Sequence, residues 1–469
     1  MSGVVMRELD VDVAVIGAGT AGIAAHRAAT AAGARAVLIE RGPGGTTCAR
    51  VGCMPSKLLI AAGAAAHAAR STDLFGIRVS GVTVDGPAVL KRLRAERDRF
   101  VASVFEGLDA LPDGTRIAGS ARFVDARTLV VQGQAQIRFR AAVIATGSSP
   151  VVPDPLQGLG ERLLTTDTLF EIPDLPDSLA ILGAGAVGIE IAQAMARLGV
   201  VVTVIDAGDT VAGLSEPALN RQAIEIFGAE FDLHLGARVQ GAAADGDGVR
   251  VAWTDRAGQP QVTRATRILA AAGRSPNLAD LDLEAAGLRV GEGGVPDFDR
   301  RSLVCSGAPI LIAGDADAWR PVLHEASRQG AIAGANAAAL AASRAVEAPA
   351  PLPGFAMVFT HPQVAVVGAP HDPEDQDRVV GGMDFSDQGR ARVEGLNRGG
   401  IRLWADRSGR LLGGEMLGPA VEHLAHLLIY VLAEGRTVRS LCERPAYHPT
   451  VEEGLVSAMS DIQRKIYGS

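Results

Sequence analysis

The chain has 469 residues, 48% hydrophobic and 21% charged, with a formal charge of -8 and a pI of about 5.7. That length allows about three domains of roughly 150 residues. The acidic balance argues against a nucleic-acid or anionic-membrane surface, which needs clustered positive charge. No run of about 20 apolar residues lacks a polar group, so no transmembrane helix is expected. Four cysteines do not make a disulfide framework, which points to a reducing, cytoplasmic compartment.

The first element is VDVAVIGAG. Its apolar core could pass for the h-region of a signal peptide, but it sits among Glu8, Asp10 and Asp12 and runs into a glycine turn. It therefore reads as a strand. A G-x-G-x-x-G turn follows at Gly17, Gly19 and Gly22, then an Ala-rich helix, then a second strand, ARAVLIE, ending at Glu40. In such a unit the glycines serve a tight turn, close approach to a pyrophosphate, and packing of helix on strand. The pyrophosphate sits at the helix N-terminus, and Glu40 is placed for ribose hydroxyls.

Next comes GGTTCARVGCMPSK (44–57), with Cys48 and Cys53 five positions apart. A zinc site wants two pairs of ligands, and the other cysteines, Cys305 and Cys442, stand alone. Residues i and i+5 of a regular helix lie about 7.5 Å apart along the axis, beyond the Cα reach of a disulfide, so bridging needs a bent segment. Gly52 permits the bend, and Pro55 fits only the first turn of a following helix. A short, strained pair at a helix start is suited to redox exchange. A metal site and two inert thiols are the alternatives.

The basic run KRLRAERDRF (91–100) is interrupted by Glu96 and Asp98 and reads as a solvated helix face. The strand-like AAVIATGSSP (141–150) closes the first region. A second glycine unit then appears, SLAILGAGAVGIEIAQ, with Gly183, Gly185 and Gly188, and Asp206 at the next strand end. Gly17 to Glu40 and Gly183 to Asp206 span the same 23 residues. Two such units imply two dinucleotides.

RILAAAGRSPNL (267–278), which contains Gly273, is the counterpart of AAVIATGSSP. ILIAGDADA (310–318) precedes a helix expected from about His324 to Ala345, and a Pro-rich linker covers 346–354. The remainder alternates strand-like runs, AMVFTHPQVAVVG, GIRLWAD and RLLGGEML, with helices. HDPEDQDRVV (371–380) reads as a solvated acidic loop.

With these motifs in order, including ATG at 145–147, GD at 314–315 and YHPTVEE at 447–453, the chain resembles the class I flavin-dependent pyridine nucleotide–disulfide oxidoreductases. Among them it is most similar to the dihydrolipoamide dehydrogenases. The resemblance spans essentially the whole chain. It implies an α/β fold of two Rossmann-like dinucleotide-binding domains, for FAD and NAD, plus a C-terminal α+β dimerisation domain. The expected divisions are 1–150 and 276–345 for FAD, 151–275 for NAD and 346–469 for the interface.

By this resemblance the first unit holds FAD, with Thr146, Gly147, Gly314 and Asp315 around it and the flavin beside Cys53. Cys48 is then the interchange thiol and Cys53 the thiolate facing the flavin. Lys57 matches the family lysine near flavin N5, and Glu190 matches its acidic partner. The second unit, with Gly183, Gly185, Gly188, Asp206 and Gly273, holds the nicotinamide cofactor. Asp206 favours NAD, since a carboxylate binds a ribose 2′-OH and repels a 2′-phosphate, and no Arg or Lys follows before Arg221.

His448 and Glu453 match the family's His-Pro-Thr-x-x-Glu base, which the partner of a homodimer lends. The implied reaction oxidises dihydrolipoamide with NAD⁺ through a Cys48–Cys53 disulfide and FAD, on a small substrate or a lipoyl group carried by a separate protein. Departures are Thr20, the Thr46-Thr47 and Ala-Arg-Val-Gly around the cysteines, and Tyr447 before the base. Reductases of glutathione- or mycothiol-type disulfides and NADH:quinone (diaphorase) flavoproteins are the alternatives. Mercuric reductases carry C-terminal cysteines where this chain reads RKIYGS, so that activity is not expected.

Overall fold

The structure, a computed structural model, describes residues 7–291 and 293–468. The chain divides into two compact units: Met1–Met54, Ala95–Pro150 and Arg274–Pro351 form one, and Pro55–Arg94, Val151–Gly273 and Leu352–Ser469 the other.

In the first unit, VDVAVIGAG is a strand, Arg7–Ile16, as its pattern predicts. It pairs in parallel with Ala36–Glu40 on one side and Ala135–Ile144 on the other. The last of these has two partners along one edge: antiparallel Thr128–Val131 in its first half and parallel Ile310–Ile312 in its second. Val13 and Val15 face the helices Thr20–Ala31 and Leu323–Ala341, while Ala14 and Ile16 face the opposite core with Ile312 and Leu281. Both faces are covered, which is why this strand reads as an unbroken apolar run.

The two helices touch backbone to backbone. A Cβ on Gly330 would lie 2.2 Å from Ala21 O, and one on Gly334 2.0 Å from Ala25 O. The later helix ends at Ala341 rather than near Ala345.

In the second unit, a parallel sheet runs in the order Asp232–His234, Val201–Ile205, Ser178–Leu182, Arg267–Ala270, Leu163–Leu164. The helix Ala186–Arg197 crosses it, and a three-stranded antiparallel sheet spans Arg238–Ala265. The C-terminal part is a five-stranded antiparallel sheet carrying the helices Val421–Ala433 and Glu453–Tyr467. AMVFTHPQVAVVG is not one strand but a hairpin, Phe355–Val358 against Gln363–Gly368. Pro362 has no N–H to give a ladder, so the chain turns there.

Glu415, fully buried on the strand Leu411–Gly418, accepts hydrogen bonds from Ser215 N, Ser215 Oγ and Glu216 N, tying that strand to the start of the helix Pro217–Gly228. The basic run 91–100 lies on the helix Gly86–Asp109, mostly exposed, as its charge pattern predicts.

Candidate active site

Both glycine turns fold alike. Gly17 has φ +106° and Gly183 φ +116°, and a Cβ on either would strike a carbonyl, Ala145 O at 2.3 Å or Ala271 O at 2.4 Å. A side chain is excluded by conformation and by space. Gly22 and Gly188 are closed by packing, since a Cβ would reach Gly17 O at 1.7 Å and Gly183 O at 1.9 Å. The middle glycines, Gly19 and Gly185, meet nothing within 4 Å. Packing therefore does not require them; the space in front of each stays open for a ligand.

Each middle glycine caps a helix with no side-chain cap and no acid in the first turn, so N–H groups and the positive helix end face that space. The acids also match. Glu40 accepts from Ala18 N and Gly42 N, both at 2.7 Å, and Asp206 from Ala184 N at 2.5 Å and Gly208 N at 2.6 Å. Both carboxylates thus hang over their own turns.

A cavity of about 420 Å³ opens beside the first turn, lined by Ala18, Glu40, Gly42, Phe105, Leu108 and Arg116. It is in the size range of small-molecule sites. Close by in the same unit, the strand Ser148–Pro150 pairs with Arg274–Pro276. Arg274 donates through Nε to Ser148 Oγ at 2.8 Å, and Ser148 Oγ donates to Asp315 Oδ2 at 2.9 Å. Asn277 Nδ2 donates to Thr146 O at 3.1 Å.

Gly314 sits against the first helix, with Ala21 Cβ 2.8 Å from where its own Cβ would be, so the GD turn lies over the glycine turn. Thr146 Oγ1, Asp317 Oδ2 and Gln329 Nε2 are buried here without a hydrogen-bond partner among the described residues. Open N–H groups, orphaned polar atoms and an acid placed for ribose fit a flavin dinucleotide. Ser148, Arg274, Asn277 and Gln329 do not stand out as site residues in the sequence; the mirrored GSSP and GRSPN runs are a signal for the first three, and nothing local marks Gln329.

The cysteine segment bends as its composition predicts. Cys48 lies in the short helix Thr47–Arg50, and Cys53 opens the helix Cys53–Arg70 with Pro55 as its third residue. A Cβ on Gly52 would come within 3.0 Å of Thr47 O and 3.3 Å of Cys48 Cα, so a side chain there would crowd the fold-back and glycine suits it. Cys48 is half-buried and Cys53 exposed. Cys305 is different in kind: burial pushes its thiol up to about 12, so it is inert as a nucleophile.

In the second unit, Lys57 Nζ lies 2.8 Å from Glu190 Oε2 and 4.7 Å from the centre of the Phe359 ring. Glu190 is the fifth residue of its helix and 5% exposed, and its other oxygen accepts from Phe359 N at 2.8 Å. It is an interior counter-charge rather than a first-turn acid. The helices approach because Gly63 packs on Ala194, whose O lies 2.9 Å from where a Cβ would be. Glu190→Ala strips the counter-charge from Lys57 and the acceptor from the Phe359 amide. We expect a loss of about 2–3 kcal/mol in denaturant unfolding, less than for a fully buried pair because Lys57 stays a third exposed.

The C-terminal dyad is local. His448 Nδ1 is 3.1 Å from Glu453 Oε1, and Thr450 N donates to Glu453 Oε2 at 3.1 Å. The Thr450 amide, then the His448 hydrogen bond, hold the Glu453 carboxyl below its usual range. The His448 side chain is 79% exposed.

Residues 11–330 match the family described as pyridine nucleotide-disulphide oxidoreductase, and residues 355–459 match its dimerisation domain. The chain belongs to this family. Its members are FAD-dependent enzymes that use NAD(P)H, and the cysteine pair and first glycine unit of this flavoprotein oxidoreductase fall within the matched region.

A mercuric reductase of Acidithiobacillus ferrooxidans is 33% identical over 470 residues, covering 97% of this chain and 83% of that protein. A dihydrolipoyl dehydrogenase of Haloferax volcanii is 31% identical, covering 95% of each. The solved structure of LpdA from Mycobacterium tuberculosis superposes with a TM-score of 0.82 at 26% identity, over 96% of this chain and 99% of that one. Among the described residues, no helix is long and apolar enough to cross a membrane.

Proposed function

We propose that the protein is a homodimeric disulfide oxidoreductase that exchanges electrons between a small dithiol, dihydrolipoamide in the first instance, and NAD⁺. The observation that carries this reading is the cysteine pair set on either side of a tight turn at Gly52. Such a pair can close and open without refolding its surroundings. When bound, FAD supplies a two-electron carrier between thiols and nicotinamide.

The chain's own residues do the thiol chemistry. A substrate thiolate attacks Cys48 Sγ of the Cys48–Cys53 disulfide, making a mixed disulfide and releasing the Cys53 thiolate. The second substrate thiol gives its proton to His448 and attacks the substrate sulfur of that mixed disulfide. The substrate leaves as a disulfide and Cys48 as a thiolate. Glu453 holds the imidazole with Nδ1 toward it and Nε2 outward. Lys57, held by Glu190 and Phe359, would supply a positive charge to a bound flavin. Glu40, Thr146, Gly147, Gly314 and Asp315 hold FAD. Gly183, Gly185, Gly188, Asp206 and Gly273 hold the nicotinamide dinucleotide.

The exposure of the dyad supports a site completed by a second copy of the chain. The deciding assay compares dihydrolipoamide oxidation by NAD⁺ with NADH- and NADPH-driven reduction of lipoamide, glutathione disulfide, a quinone and Hg(II). Faster turnover of any of the latter displaces dihydrolipoamide as the substrate.

One arginine near the second unit bears on the choice of nucleotide. Arg256, far along the chain, pairs with Asp209 on the loop just after Asp206, and a guanidinium there could meet a 2′-phosphate. Asp209 pairs with that guanidinium and Asp206 keeps a carboxylate at the strand end, which supports NAD. Asp206→Ala is expected to lower kcat/KM for NADH roughly 10- to 100-fold, the worth of a charged hydrogen bond, and to leave NADPH turnover unchanged or faster. A larger loss with NADPH would reverse the assignment.

A further inference from the structure

The turn Gly314–Asp317 carries two acids, and only Asp315 has a place in the reading above. Asp317 is 4% exposed. Its Oδ1 accepts from Trp319 N at 2.8 Å, while Oδ2 is buried and unpartnered among the described residues. Opposite it stands Gln329, 2% exposed, whose Oε1 holds Gly314 N at 2.6 Å and whose Nε2 is likewise unpartnered. This amide favours the ionised acid, although its Nε2 completes no hydrogen bond to Oδ2.

Two further carboxylates face Asp317: Asp315 on its own turn, and Glu325 on the packed helix. Cations around this turn are engaged elsewhere: Arg300 and Arg320 lie over the Trp319 ring, at 5.2 and 4.6 Å from its centre. Arg320 pairs with Glu325 at 3.0 Å, and Arg274 is bonded to Ser148. Burial first, and then these acids, push the Asp317 carboxyl up to about 6, against the opposing pull of Trp319 N and Gln329.

We propose that Asp317 is a proton site linked to the redox state of the flavin held at this turn. The inference rests on the FAD reading of the cradle. A flavin that takes two electrons and one proton gains one negative charge. Negative charge added beside a buried acid favours its protonated form. Asp317 then takes a second proton from solvent as the cofactor is reduced and returns it on oxidation. Gln329 and the Gly314 N–H relay the position of the turn to it. Electrons come from the family's own dithiol or NAD(P)H, so no other reductant is needed.

The test is proton uptake on anaerobic reduction of the holoenzyme by dithionite, counted only over the two electrons that bleach the flavin once the Cys48–Cys53 pair has been reduced, and read with a pH indicator from pH 5 to 8. The pH dependence of the flavin midpoint potential is measured alongside it. Wild type is expected to take up more than one proton per two electrons above about pH 6, by as much as one. Asp317→Asn should lose this excess, and Asp317→Glu should keep it at a shifted pH. Equal uptake in wild type and Asp317→Asn, both carrying flavin, overturns the proposal alone. If Asp317→Asn does not retain flavin, wild type decides: an uptake of one proton or less at every pH above 6 overturns it. Wild-type protein that binds no flavin overturns this inference and the FAD reading together.

Discussion

Cys48→Ser is expected to lower dihydrolipoamide turnover roughly 10³-fold or more, the scale on which removal of a nucleophile acts. Flavin content and NADH-driven reduction of a quinone should persist. The serine keeps the volume and the bent segment but cannot form a disulfide with Cys53. Because Cys48 lies in the four-residue helix Thr47–Arg50 and Gly52 makes the return, the substitution should leave the backbone intact. Absorbance of bound FAD would show that the cradle survives, and steady-state rates with the two acceptors would separate the pathways. Near-wild-type lipoamide activity would sink the thiol relay.

His448→Ala should cost about 10²- to 10⁴-fold in the same turnover, the usual worth of a positioned acid–base group. Glu453→Gln should cost less, since it keeps a hydrogen-bonding group but removes the charge that steadies a protonated imidazole. The Thr450 amide and His448 hold Glu453 below the normal carboxylate range, so its charge persists throughout the pH range in which an imidazole titrates. The Gln variant should therefore be impaired at every pH from about 5 to 9.

A mixing experiment addresses which chain lends the base. If the dyad acts across a two-fold interface, coexpressed Cys48→Ser and His448→Ala chains should assemble hybrids with one intact site. At equal expression and random pairing, about a quarter of wild-type activity should return. A dyad serving its own chain's cysteines would restore nothing.

Much of the site is legible in the sequence because it is local. Each glycine turn joins residues within six positions to one strand and one helix, and the acid follows on the next strand. The cysteine bend needs only residues 47 to 55, and the His448–Glu453 bond spans five positions. Fold class follows for the same reason: strands buried on both faces read as apolar runs, and small-residue helices follow them. Composition carries no information on the substrate, and relatives of like identity act on mercuric ion and on dihydrolipoyl groups.

Residue types and spacing alone thus pointed to two dinucleotide units and a bent dithiol, while the His–Glu pair stood out only through the family resemblance. Tertiary structure decided the partners of isolated charges. Lys57 finds Glu190 across 133 positions because Gly63 lets two helices close on Ala194. Asp315 finds Ser148 across 167, with Arg274 behind it, because two short strands pair. Asp317 is buried on a turn packed against the helix Leu323–Ala341, which Gly330 and Gly334 let close on the helix Thr20–Ala31. Such contacts depend on how closely packed backbones approach, and that distance is set by both surfaces at once and written in neither segment alone.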